Sequence, residues 1–135
     1  MKILVMGGTR FVGKSLVGKL LNYNHDIDIF TRGNKSNPEN TNLIKGDRND
    51  KESILKLKNK KYDAIFDISG RELEQTKLLI ENISDSFNRY IYISSAGVYK
   101  ENYELPLSED SPIDPQSRHK GCLLYTSDAA DEHSW

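Results

Sequence analysis

The sequence predicts an α/β domain, a doubly wound parallel sheet with its strands in the order 3-2-1-4-5. Three observations predict it. Residues 2–6 open the chain as a strand-like apolar run, as expected of a strand buried on both faces. That run passes straight into glycines and then into a segment of helical period. Further short apolar runs alternate with helical patterns down the chain, which calls for βαβ units, right-handed crossovers and a parallel sheet.

Each element follows in order. Phe11, Val12, Leu16, Val17, Leu20 and Leu21 recur at helical spacing, with Lys14 and Lys19 on the other side, and Asn22 to His25 closes that helix. Residues 27–31 form a second strand, ended by Arg32-Gly33-Asn34. Residues 34–41 carry Asn, Ser, Pro and Lys and mark a loop. Leu43-Ile44 is a brief third strand, stopped by Gly46-Asp47. Asp50 caps a helix running through Leu57, with Ser53 in its first turn. Residues 64–68 form a fourth strand, Glu72 to Ile83 a third helix and residues 90–94 a fifth strand. The intervening helices are expected to run for about ten residues or more. Beyond residue 94 come Pro106, Pro112 and Pro115 in acidic, irregular chain.

Composition sets the outer bounds. At 135 residues the chain holds one domain. A formal net charge of −1 points neither to a basic nucleic-acid surface nor to a membrane-seeking chain. The opening apolar run is too short for a signal-peptide core, and no window approaches the roughly 18 apolar residues of a membrane span. A single Cys fits a reducing compartment, so a cytoplasmic location is expected. No metal site is expected.

The candidate site begins at Gly7-Gly8-Thr9-Arg10-Phe11-Val12-Gly13. A dinucleotide needs a tight turn here, with its diphosphate against bare amides and the positive end of a helix. Strand before and helix after are the context that gives a glycine pattern meaning. The fold is therefore of the Rossmann type, and all seven residues are candidate cofactor contacts. Arg32, after the second strand, has the fork geometry to pair a 2′-phosphate, or it is a solvated loop residue. No acid stands at that strand end, since Asp28 lies inside the strand. NADP is therefore favoured over NAD.

These residues resemble the extended short-chain dehydrogenase/reductases, which carry Gly-x-x-Gly-x-x-Gly at this point. Gly7 and Gly13 match, but Arg10 stands where the middle glycine belongs. Gly-Gly-Thr-Arg-Phe-Val-Gly is similar to an atypical branch of the NAD-dependent epimerase/dehydratase family, the chloroplast stem-loop-binding-protein-like branch. The resemblance implies that Asp47, with Arg48 beside it, bonds the adenine amino group, although Gly46-Asp47 also reads as a plain turn. It implies that Ser69-Gly70 passes beside the cofactor.

In Ser94-Ser95-Ala96-Gly97-Val98-Tyr99 it implies that Ser95 helps bind the reacting oxygen, with Ser94 near the cofactor. The other reading of Ser95 is a strand-ending serine bonded to its own loop. The family's Tyr-x-x-x-Lys pair should follow, yet residues 115–121 hold no Tyr. Aligned on residue 122 as the lysine, the Tyr position holds Arg118. His119 is a minor acid/base candidate. Tyr99 and Tyr103 lack a lysine at the right spacing.

Residues 122–132 read Cys-Leu-Leu-Tyr-Thr-Ser-Asp-Ala-Ala-Asp-Glu. This string is similar at every position to the in-frame translation of a transposon-based sequencing adapter. Residues 1–121 are thus expected to be an incomplete NAD(P)-binding domain and 122–135 a non-native tail, outside fold reasoning. The tail takes the only Cys with it, and its loss leaves the rest near neutral.

Two functions follow. One is the dinucleotide-binding part of an epimerase, dehydratase or reductase acting on a sugar nucleotide or similar small molecule, inactive without the later strands and substrate lobe. The alternative is a non-catalytic nucleotide-binding module that binds RNA, to which Arg118-His119-Lys120 lends weak support.

Overall fold

The computed structural model describes residues 1–100 and 105–114. The strands are β1 (Lys2–Met6), β2 (Asp26–Thr31), β3 (Asn42–Lys45), β4 (Ala64–Asp67) and β5 (Tyr90–Tyr92). They form one sheet in the order β3-β2-β1-β4-β5, with every pairing parallel. The expected order is therefore the observed one. Side chains alternate across β1 and split the core in two. Ile3 and Val5 join Val17, Ile27 and Ile29 under helix α1 (Phe11–Asn22). Leu4 and Met6 join Phe30, Ile54, Ile65, Leu79 and Ile83 under α2 (Lys51–Leu55) and α3 (Leu73–Ile83).

Two lengths depart from expectation. Helix α2 is five residues long and stops at Leu55. Its Asp50 cap is as expected, with the Asp50 carboxylate accepting from the Ser53 amide at 3.1 Å. Past Leu55 the chain tightens: the amides of Lys56, Leu57 and Lys58 each donate to the carbonyl three residues back. Leu57 is still fully buried, so the apolar period outlasts the α-helix. Strand β5 ends at Tyr92 rather than residue 94. The Ile93 amide still donates to Asp67 at 3.0 Å, and the chain then turns away. Beyond it, the amides of Lys100 and Asp114 bond to Pro112 and Val98.

Two buried carboxylates lie in the described strands and find partners there. Asp28, in β2, accepts from the Tyr62 hydroxyl at 2.7 Å and from Asn42 at 3.0 Å. Asp67, at the end of β4, is fully buried and accepts from the Tyr90 hydroxyl. Burial, and then the bonded carboxylate, push both phenols well above the usual tyrosine range. A group whose pKa is raised by folding contributes stability that is whole below its unfolded value of about 10 and fades as pH rises past it. Urea unfolding at about pH 8 and about pH 11 should therefore show a drop at the higher pH that Tyr62→Phe reduces. An equal drop in the variant would remove Tyr62 as a cause.

Candidate functional site

The site lies at the carboxyl ends of β1, β2 and β4, where the strand order reverses around β1. Open α/β sheets bind ligands at such a point. The turn after β1 is built from backbone that only glycine adopts easily. Gly7 and Gly8 have φ of +105° and +96°, in the left-handed region. A Cβ on Gly13 would lie 2.7 Å from the Gly8 Cα. Helix α1 therefore seats directly on the turn through three glycines. Its N-cap, Arg10, makes no side-chain cap bond, and its first turn holds no acid. The amides that an anion would need are left to the cleft.

That turn opens into a cleft of about 640 Å³. Gly7, Gly8, Thr9, Arg10, Phe11, Val12 and Gly13 line it, with Arg32, Ser69, Gly70 and Ser94. Sequence reasoning singled out all of these. It did not single out Thr31, Asn34, Lys35, Ile68, Arg71 and Ile93, which complete the lining. Arg10, Arg32, Lys35 and Arg71 all line the cleft, and among the described residues no Asp or Glu does. Low-dielectric walls of one sign focus attraction on an anionic ligand. These features suit a diphosphate.

A second cavity of about 400 Å³ shares Gly7, Thr31, Arg32, Ser69 and Arg71 with the first. The two are ends of one groove. Asp47 and Arg48 line this smaller end, with Asn49 and Gln75. Asp47 is exposed, and its Oδ1 accepts from the Asn49 amide at 2.8 Å. Arg48 is arranged otherwise. Its Nη1 and Nη2 donate to the two carboxylate oxygens of Asp67 at 2.8 and 2.9 Å, and Nη1 also to Ser69 Oγ at 2.9 Å. Burial opposes its charge, but the hydrogen bonds and negative charge of Asp67 outweigh burial and hold the guanidinium's pKa above its usual value. Asp67 also accepts from the Gly70 amide at 2.9 Å, and Tyr92 donates to the Gly70 carbonyl at 3.1 Å. Sequence reasoning missed Asp67, Tyr90 and Tyr92. A carboxylate inside an otherwise apolar parallel strand was the available signal, since such a group must be paired.

Ser95 stands one residue past the lining. Its Oγ accepts from the Gly97 amide at 3.1 Å and caps a short 3₁₀ turn, Ala96–Val98. Arg118, His119, Lys120, Tyr103 and the tail from residue 122 lie outside the described residues. No helix among the described residues is long and apolar enough to cross a membrane.

Residues 3–121 match the model of the NAD-dependent epimerase/dehydratase family. The chain is 38% identical to the chloroplast stem-loop binding protein of 41 kDa b of Arabidopsis thaliana, over 90% of this chain and 36% of that protein. It is 30% identical to a UDP-glucose 4-epimerase of Corynebacterium glutamicum, over 92% of this chain and 44% of the other. Among solved structures, the UDP-glucose 4-epimerase of Bifidobacterium longum in complex with NAD+ and UDP superposes with a TM-score of 0.82 at 20% identity. That match covers 98% of this chain and 48% of the other, and it speaks to the fold alone. The chain thus spans less than half the length of these relatives.

Proposed function

The chain belongs to the NAD-dependent epimerase/dehydratase family, and from that premise we propose that its groove binds a nicotinamide dinucleotide. The Gly7–Gly13 turn would hold the diphosphate, the smaller end beside Asp47 would take the adenosine, and the end by Ser94 would take the nicotinamide. The observation that carries this reading is the uncapped start of α1, seated on glycines and opening into a cleft that, among the described residues, is lined by cations without acids. The whole protein, on this reading, is an epimerase, dehydratase or reductase of a sugar nucleotide or similar small molecule.

A nicotinamide held there would supply reversible hydride acceptance. The chain's own residues bind and orient. Ser95 already uses its oxygen to accept from Gly97, which leaves the hydroxyl proton to donate toward a substrate oxygen. Titration of NADP and NAD into the 135-residue chain tests the reading. Saturable binding of a dinucleotide is expected, and negligible binding of both overturns it.

NADP is the favoured cofactor. Arg32 lines both ends of the groove; of the two acids in the preceding strand, Asp28 is bonded to Tyr62 and Asn42, and Asp26 stands at the far end of the strand. A charge-assisted bond from an exposed arginine to a 2′-phosphate is worth about 1.4 kcal/mol, a factor of about ten. Arg32→Ala should therefore weaken NADP by about tenfold and leave NAD near its original affinity. Equal losses for both would remove Arg32 from the 2′-phosphate.

A second reading has its own support. Residues 115–121 contain no Tyr for acid/base work, and the Arabidopsis relative is named for stem-loop binding. On this reading the domain is a nucleotide-binding module without redox turnover that contacts RNA. Salt-dependent RNA binding without hydride transfer would favour it.

A further inference from the structure

The buried Arg48–Asp67 pair does more than fill space. Arg48 follows β3, an outer strand of the described sheet, yet its guanidinium reaches past β2 and β1 to the end of β4. Its side chain is 10% exposed and that of Asp67 0%. The third bond, to Ser69 Oγ, places the arginine one residue from the phosphate turn: a Cβ on Gly7 would meet the Ser69 Cβ at 3.5 Å. A parallel tie runs outside it, from Gln75 Nε2 to Asn49 Oδ1 at 3.0 Å. Gly46, Asp47, Arg48 and Asn49 form one wall of the groove's smaller end, and Ser69, Arg71 and Gln75 form another. The walls are joined side chain to side chain at two points.

A buried ion pair is a poor device for stability alone, because apolar residues of similar volume serve as well or better. A planar fork has a different merit: it fixes distance and direction together. We propose that Arg48 is a positioning residue, which sets the width of the adenosine end by holding Ser69 at a fixed place opposite Asp47. Its Nη groups go to Asp67 and Ser69 rather than to the dinucleotide. The proposal rests on the reading of the groove given above. A lysine keeps the charge for Asp67 but presents one nitrogen, which cannot hold both carboxylate oxygens and Ser69 in that geometry.

The test uses the 135-residue chain as wild type, as Arg48→Lys and as the double variant Arg48→Met/Asp67→Leu. Three probes are titrated: NADP, adenosine 5′-monophosphate for the smaller end and inorganic pyrophosphate for the glycine turn. Thermal unfolding is followed in parallel. In Arg48→Lys, NADP and the monophosphate should weaken by the same factor, about tenfold, with pyrophosphate unchanged. The double variant trades the ion pair for apolar groups but leaves the Tyr90 hydroxyl and the Gly70 amide without Asp67, so it should melt somewhat below wild type and bind the monophosphate about tenfold more weakly. A double variant that binds the monophosphate as wild type does would overturn the proposal. So would a loss in Arg48→Lys shared equally by pyrophosphate. If the double variant fails to fold, the comparison of probes in Arg48→Lys decides. A wild type that binds no dinucleotide strikes the groove reading itself. Normal wild-type binding with unaltered variants strikes only Arg48.

Discussion

Gly13→Ala is expected to weaken dinucleotide binding by about a hundredfold, the scale of loss that a misplacement of about 1 Å can cause in a geometry-dependent site. Two effects compete. Alanine favours a helix over glycine by about 1 kcal/mol, which would stabilise α1. Against this, the new methyl would sit 2.7 Å from the Gly8 Cα and 2.9 Å from its amide nitrogen. Comfortable carbon contacts begin at about 3.5 Å, so helix and turn must separate by most of an ångström. Both atoms are backbone, and no rotamer change relieves them. Overpacking of this kind costs about 1–3 kcal/mol, which outweighs the gain in propensity. The separation also displaces the start of α1 from the turn that would cradle the diphosphate. Calorimetric titration with NADP measures the loss, and circular dichroism checks that the helices remain. Wild-type affinity in a folded Gly13→Ala chain would mean that the diphosphate does not sit on this turn.

The sequence made legible what is local. Strand, glycine turn and helix occupy the first 22 residues in an unbroken line, and the period of the apolar residues names each element. That alternation calls for a parallel sheet, and the particular order 3-2-1-4-5 is the one implied by the resemblance to the dinucleotide-binding fold. The end of α2 was not legible, because Leu57 continues the apolar period while the backbone has already changed to shorter-range bonds. Arg48 was legible as a member of the site but not in its attitude. Its partner is 19 residues away and on a different strand, and nothing in the neighbouring residues says whether a loop arginine turns outward or in. Arg71 carries no local mark either. It reaches the groove because the loop after β4 folds beside the loop after β2, a consequence of strand order rather than of spacing.

The Asp67→Leu substitution alone should be the most damaging to stability. It removes the acceptor for Arg48, for the Tyr90 hydroxyl and for the Gly70 amide at once. The guanidinium is then a buried charge without its counter-charge, a situation that costs about 3–5 kcal/mol. Set against a typical total of about 5–15 kcal/mol for a whole domain, that is enough to leave much of the chain unfolded. Asp67→Asn keeps an oxygen for one or two of those donors, so its cost should be smaller, nearer the 1.5–3 kcal/mol or so of a lost charge-assisted bond. Adding Arg48→Met to Asp67→Leu should recover part of the loss, because the stranded charge is gone, while the Tyr90 hydroxyl and the Gly70 amide still lack their acceptor. Urea unfolding of the four chains orders them: wild type highest, the double variant and Asp67→Asn between, Asp67→Leu lowest. An Asp67→Leu chain as stable as wild type would mean that Arg48 can turn out to water at no cost, and a side chain so free could not hold two walls of a groove apart.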